Sequence, residues 1–278
     1  MAATMKEESF AGSGGKIAFR SWQPDGKPRA VLVICHGFNS HSGQYAWVAE
    51  QFASRGLAVY AADLRGRGKS EGARFYVDDI GEYVSDLSGM IKLAKTRHPG
   101  LAVFLLGHSA GGVTSVSYAL DNQRELAGLI CEDFAFRVPA PDFILRVFVW
   151  LSAILPRVGI LKLKNKDFSR DPKAVAALDS DPLTANETQP LKTVAALVRA
   201  GDRLHREFST ITIPVFILHG TDDHATLPAG SQEFFDKAGS KDKTLKMYPG
   251  AFHDLLNDVG KEGVLADMQA WIDKHVPA

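Results

Sequence analysis

Residues Gly107-His108-Ser109-Ala110-Gly111 place a hydroxyl between two glycines, directly after the apolar run Leu101 to Leu106. A small-residue stretch, Gly112 to Leu120, follows and suits a helix. Strand, Gly-x-Ser-x-Gly turn and helix together are the context of a nucleophile elbow. The glycines are needed because the turn is strained and the helix must pack close to the strand. Such a bend holds Ser109 at the top of a sheet, where its hydroxyl can meet a substrate carbonyl. The backbone N–H of Ala110 then becomes one donor to a developing oxyanion. Alone, Gly-x-Ser-x-Gly would read as a loop joining strand to helix; the flanking elements favour the nucleophile.

A serine hydroxyl is a poor nucleophile unless a base takes its proton and a third group orients that base. Two later stretches supply both. Ile213 to Leu218 reads as a buried strand running into His219-Gly220, with Thr221-Asp222-Asp223 at its tip. Lys243 to Tyr248 alternates like a strand, and the loop Pro249 to Asp254 after it carries His253. The chain order serine, acid, histidine is the one that accompanies this elbow. His253 would remove the Ser109 proton during attack and protonate the leaving alcohol, while the acid holds the imidazole tautomer. Asp222 competes with Asp223 for that role, with a solvated turn as its ordinary use. Asp133, after the run Leu126 to Cys131, is a further candidate and reads better as an anchor for the segment that follows. His36 and His108 read as partners of loop backbone, and His224 as an exposed loop residue.

Elements that could position these groups alternate along the chain. Phe10 to Trp22 reads as an opening hairpin around Gly12, Gly14 and Gly15. Val31 to Cys35 and Leu57 to Ala62 are continuous apolar runs, as parallel strands covered on both faces are. Gly43 to Arg55 and Ile80 to Arg97 fit helices between them. This alternation predicts an α/β protein with a mostly parallel central sheet and helices on both faces. It stops from about Phe134 to Pro190. There Phe143 to Leu155 is almost wholly apolar over 13 residues, too short for a bilayer, which needs about 20. Arg157, Lys162, Lys164, Lys166 and Arg170 follow, and could meet anionic head groups. The plain alternative is an extra helix packed as core.

Composition sets the bounds. The chain has 278 residues, 45% hydrophobic and 23% charged, with zero formal net charge. That suits one large domain with an insertion and argues against a nucleic-acid partner, which usually demands a basic surplus. Met1 to Glu8 has no apolar segment of the signal-peptide kind. Cys35 and Cys131 lie in apolar runs and read as buried free thiols. A cytoplasmic location is expected, with oligomeric state left open. No Cys/His cluster has metal-ligand spacing, so neither metal nor cofactor is expected.

The chain resembles serine hydrolases of the α/β-hydrolase superfamily, and within them the monoacylglycerol lipase and lysophospholipase group. The resemblance rests on His36-Gly37-Phe38, Asp63-Leu64-Arg65-Gly66-Arg67-Gly68-Lys69-Ser70, Gly107 to Gly112, His219 to Asp223, and Tyr248 to His253. These run in order through nearly the whole chain. The resemblance implies an α/β-hydrolase core over 1–133 and 191–278, and a helical cap over 134–190 above the active site. It makes Asp223, third after Gly220, the acid, and Phe38 the second backbone oxyanion donor. It lets Phe148 and Trp150 in the cap line an acyl pocket. Ala110 stands where these lipases usually carry Met, and Arg67 where Arg-Gly-His-Gly has His. Arg65 and Arg67 read as loop braces, since no dinucleotide fingerprint accompanies them.

The implied activity is carboxylic ester hydrolysis on a small-molecule or lipid ester through Ser109, His253 and Asp223, with peripheral membrane contact through the cap. A broad carboxylesterase accepting short acyl esters or polyesters is the related alternative. A peptidase acting at free N-termini shares the fold, and would need Asp142, Asp167, Asp171, Asp179 or Asp181 aimed at an amine. Dehalogenases and epoxide hydrolases use an Asp nucleophile, against Ser109. A non-catalytic ligand-binding protein on the same fold would not need the three side chains together.

Overall fold

The computed structural model describes residues 4–277, so Met1 to Ala3 at the head of the polar N-terminal stretch lie outside it. Strands β1 (Thr4–Gly12) and β2 (Gly15–Gln23) form the opening hairpin, which begins earlier than its apolar residues suggest. The outer half of β1 is exposed and polar, and carries little apolar signal. There follow β3 (Ala30–Cys35), α1 (Ala46–Ser54), β4 (Leu57–Ala62), α2 (Ile80–Arg97), β5 (Val103–His108), α3 (Ala110–Asn122) and β6 (Gly128–Glu132). After an intervening segment come α6 (Leu191–Glu207), β9 (Val215–Gly220), α7 (Pro228–Lys237), β10 (Lys243–Tyr248) and α8 (Lys261–His275). Between β6 and α6 lie α4 (Asp142–Leu151), β7 (Gly159–Leu161), α5 (Pro172–Ser180) and β8 (Gln189–Pro190). β7 and β8 form a short antiparallel pair of their own, so this segment is not purely helical.

The main sheet has eight strands in the order β1-β2-β4-β3-β5-β6-β9-β10. Pairing is parallel from β4 through to β10, and antiparallel for β1 with β2 and β2 with β4. Two apolar cores cover it. Val31, Val33 and Leu105 face one core with α2, α3 and α6; Leu32, Ile34, Phe104 and Leu106 face the other with α1 and α8. Alternate residues point to opposite faces, so a strand buried on both reads as an unbroken apolar run. Helix α2 starts at a capping box in which Asp79 and Glu82 satisfy each other's backbone.

Parallel pairing puts the carboxyl ends of β3, β5, β6, β9 and β10 side by side, and the residues after each share one edge. Backbone packs very closely at the end of β5. A Cβ on Gly111 would stand 2.1 Å from the Cys35 carbonyl oxygen and 2.5 Å from that of His36. Helix α3 thus presses its first turn against the end of β3.

Gly111→Ala is therefore expected to destabilise the fold by about 3 kcal/mol or more, the upper range for overpacking. Gly263→Ala, in α8 with open space around it, is expected to stabilise it by about 0.5–1 kcal/mol. Paired denaturant melts check both signs.

Candidate active site

Ser109 sits between β5 and α3 with φ +54° and ψ −122°, in the left-handed half of the map where a non-glycine residue is strained. The turn is held on three sides. Its N–H donates to the Glu132 carbonyl at 2.9 Å, and its carbonyl accepts from Gly112 N at 2.9 Å and Ala135 N at 3.2 Å. A Cβ on Gly107 would lie 2.5 Å from Ser115 Oγ, and one on Gly37 2.9 Å from Ser109 Cβ. Both positions need glycine for close approach, as does Gly111. Helix α3 begins at Ala110, two residues before its sequence-based start, because the strained turn leads straight into it.

The structure brings Ser109, His253 and Asp223 into one hydrogen-bonded line. His253 Nε2 stands 2.8 Å from Ser109 Oγ, and His253 Nδ1 2.8 Å from Asp223 Oδ2. All three are buried, Ser109 with 6% of its surface exposed. Asp222 is exposed beside Asp223 and takes only a 3.3 Å contact from Thr221 Oγ1. Phe168, from the segment between β6 and α6, lays its ring edge-on to His253 at 5.0 Å.

Asp223 is heavily solvated by the protein itself. Oδ1 accepts from Ala225 N at 2.7 Å and Thr226 N at 2.9 Å; Oδ2 accepts from Thr226 Oγ1 at 2.6 Å and lies 3.1 Å from His219 Nε2. Burial pushes the carboxyl up, but the His253 ring and the His219 and Thr226 hydrogen bonds outweigh it and hold Asp223 well below the usual carboxylate range. His219 in turn has Nδ1 against Ser231 Oγ at 2.7 Å. In the sequence His219 ends a strand and opens the His219–Asp223 motif, with no contact assigned to its ring. Its signal was the His-Gly pair before the acid, which puts a second imidazole on the same carboxylate.

Asp133 does not reach the line. It caps the end of β6 with φ +44°, and its Oδ1 accepts the Gly220 N–H at 2.8 Å. Burial first, then the Asp223 charge, push its carboxyl well above the usual range. His36 and His108 also stay out of the line. His36 accepts the Leu64 N–H on Nε2 at 3.0 Å and donates from Nδ1 to the Gly37 carbonyl at 2.8 Å. His108 meets Tyr45 OH through Nδ1 at 2.9 Å and the His253 carbonyl through Nε2 at 3.1 Å. Burial pushes both imidazoles down to about 4, and of the three rings His253 is the one that stands beside the Ser109 hydroxyl. His224 is exposed on its loop, with its ring against Phe252.

Phe38 and Ala110 meet at the elbow. A Cβ on Gly37, next to Phe38, would lie 3.4 Å from Ala110 N. Among the described residues neither N–H is given to a protein acceptor. Two buried groups bring metal-ligand side chains within 4.8 Å of one another: His108, Glu132 and Asp133, and Asp133, His219 and Asp223. The ring nitrogens of both histidines already have partners within the protein. Cys35 and Cys131 are buried free thiols, and burial pushes Cys35 up to about 12.

Phe148 is half-buried on α4, while Trp150 is 67% exposed. A groove of about 270 Å³ runs between α4 and α6, with Asp142, Leu145 and Arg146 as its α4 wall; neither Phe148 nor Trp150 lines it. No helix among the described residues is long and apolar enough to cross a membrane.

A mostly parallel sheet with this elbow at its centre and a histidine after its last strand defines an α/β-hydrolase. The family model Hydrolase_4, described as serine aminopeptidase, S33, matches residues 26–260, and the chain belongs to that family. It is 35% identical to a monoacylglycerol lipase of Mycolicibacterium smegmatis, over 99% of this chain and 100% of that one. It is 30% identical to the monoglyceride lipase of Homo sapiens, over 94% of this chain and 88% of the relative. A soluble variant of the Saccharomyces cerevisiae monoglyceride lipase, solved with a substrate analogue, superposes with a TM-score of 0.86 at 26% identity, over 100% and 96% of the two chains. The Paleococcus ferrophilus monoacylglycerol lipase gives 0.82 at 29%, over 99% and 100%.

The buried Asp133 carboxyl has a consequence for stability. Its folded pKa is raised above the unfolded value of about 3.9, so the folded state binds the proton more tightly and loses stability as pH rises through that window. Asparagine tolerates the left-handed backbone and keeps an acceptor for Gly220 N–H. The melting temperature of Asp133→Asn minus that of the parent is expected to grow from pH 4 towards pH 8. A difference that is flat or falls over this range goes against a protonated Asp133.

Proposed function

We propose that this protein is a serine carboxylic ester hydrolase acting on lipid-like esters, monoacylglycerols or lysophospholipids. The observation that carries the reading is the line Asp223–His253–Ser109, 2.8 Å at each link. Ser109 attacks the ester carbonyl as His253 Nε2 takes its proton. Asp223 holds the Nδ1–H tautomer and stabilises the imidazolium. The oxyanion settles on the Phe38 and Ala110 N–H groups, each worth about 3 kcal/mol. His253 gives its proton to the leaving alcohol, then activates the water that releases the acid. No cofactor takes part.

The lipid side of the reading is supported by the similarity to monoacylglycerol lipases. The peptidase reading is less well supported, because three of the five cap carboxylates that could hold an amine are engaged elsewhere. Asp171 caps α5, Asp179 accepts from Asn165, and Asp181 accepts from His41 and Gln44. Residues 134–190 act as the cap in this reading. Half-buried Phe148 serves acyl recognition. Phe143, Val147 and Trp150 fall on one stripe of α4 that faces solvent, and exposed Ile154 follows in the turn after it, with Lys162, Lys164 and Lys166 exposed beyond. Such a face suits an anionic lipid surface. The enzyme would then work in the cytoplasm and at membrane surfaces.

A fluorophosphonate should add one label, and Ser109→Ala should abolish both labelling and turnover. Asp223→Asn should cost about four orders of magnitude in kcat, whereas Asp222→Asn leaves turnover near the parent. The reverse order would falsify the acid assignment.

Each buried acyl methylene offers about 0.8 kcal/mol, so kcat/KM on p-nitrophenyl esters should climb with chain length until the pocket is filled. Phe148→Ser or Trp150→Ser, with melting temperature measured alongside, should reduce long-chain turnover more than acetate turnover. Equal loss in a stable variant takes acyl recognition away from the cap and favours a broad carboxylesterase.

A further inference from the structure

Behind Phe38 lies a buried ion pair that this mechanism does not use. The turn Arg65-Gly66-Arg67-Gly68 has φ of +69° and +50° at its two glycines. A Cβ on Gly66 would stand 2.1 Å from the Ala73 carbonyl oxygen, and one on Gly68 2.2 Å from Asp63 Oδ2. So tight a turn drives the Arg67 side chain inward, where 1% of it is exposed. Its guanidinium lies over the Phe38 ring, 4.4 Å from the centroid. Nε reaches Tyr83 OH at 3.0 Å, Nη2 reaches Gln189 Oε1 at 2.8 Å, and Nη1 pairs with Glu187 Oε1. That same Glu187 oxygen accepts the Asn39 N–H at 2.8 Å, at a residue with φ +52°.

The geometry points to Arg67 and Glu187 as positioning residues of the oxyanion hole, fixing the Phe38-Asn39 loop by its ring and its backbone so that the Phe38 N–H stays aimed at the reacting carbonyl. A buried ion pair adds little net stability after desolvation. What it supplies is direction. The flat guanidinium can stack on a ring and hold three acceptors at once, which an imidazole or an ammonium at this position cannot. The motif carrying Arg67 is also where this chain departs from the Arg-Gly-His-Gly pattern. Glu187 and Gln189 lie where the chain re-enters the core ahead of α6. The placement of that returning segment is thus transmitted to the hole through one carboxylate.

The inference rests on the serine-hydrolase reading, and the test separates the two. Parent, Arg67→Lys and the double variant Arg67→Met with Glu187→Leu are compared on p-nitrophenyl butyrate. Competent sites are counted by fluorophosphonate titration, and an alkyl trifluoromethyl ketone reports affinity for a tetrahedral adduct. The double variant leaves no orphaned buried charge. It should lose about tenfold to a hundredfold in kcat per titrated site and in ketone affinity together, with KM within about threefold. Arg67→Lys keeps the charge but not the fork; it should move the same two quantities the same way, and it decides the matter if the double variant yields no folded sites. A pair that is only structural would lower the melting temperature and leave kcat per site and ketone affinity within about threefold of the parent, which overturns the inference. A parent that takes no label at Ser109 removes the serine-hydrolase reading as well.

Discussion

The structure turns on how closely backbone can approach backbone at the end of β5. Gly107, Gly111 and Gly37 meet there, and added methyl groups would fall between 2.1 and 2.9 Å from neighbouring atoms. This packing holds the Ser109 backbone in a strained conformation that local interactions alone would not keep. It also brings the turn after β3 against the first residue of α3, so that Phe38 and Ala110 become neighbours. The Ser109 turn, the turn after β3 and the start of α3 are set by the same contact, and the rest of the edge is assembled around them.

Around that contact the buried charges are closely partnered, Arg67 with Glu187 behind Phe38 and Asp223 beside His253. Asp223 is the carboxylate whose buried charge is stabilised, by two backbone N–H groups, the Thr226 hydroxyl and two imidazoles. Glu132 and Asp133 lie close by, and burial shifts both well upwards. His36 and His108 are shifted down. Neutral neighbours leave the field of Asp223 directed at His253, the arrangement in which one ring nitrogen is tied as N–H and the other remains free to accept.

Much of this was legible in the chain itself. Strands buried on both faces announce themselves as apolar runs, and Phe38, Ser109 and Asp223 each follow such a run within five residues, while His253 follows the alternating strand β10. Parallel pairing then needs only strand order to bring those ends together. What the chain hides is what depends on contacts distant in sequence. The outer half of β1 is polar because only its inner face packs, so the hairpin looked shorter than it is. Asp222 and Asp223 differ only in which one the loop after β9 turns inward. Phe168 and Glu187 carry no local pattern, since their partners lie 85 and 120 residues away.

The segment between β6 and α6 sets the opposite problem. Its sequence is apolar enough for a core helix, yet Phe143 is 68% exposed and α4 buries none of its residues fully. Only Leu145 with Asp142 and Arg146 closes over the groove against α6. Large apolar side chains turned to water, Phe143, Val147 and Trp150 on α4 and Ile154 in the turn after it, lose the burial that would otherwise stabilise the segment, roughly 1.5–3 kcal/mol for each fully buried side chain. Selection for stability alone would replace them with polar residues at no structural cost, because nothing packs on them. The packing of the fold therefore does not account for the exposed apolar side chains of this segment. Phe168 and Glu187 show that the same segment also reaches inward, to His253 on one side and to the Phe38 loop on the other. The segment thus sets Phe168 against the His253 ring and Glu187 against the Phe38 loop on its inner side, and leaves large apolar side chains open to solvent on its outer side.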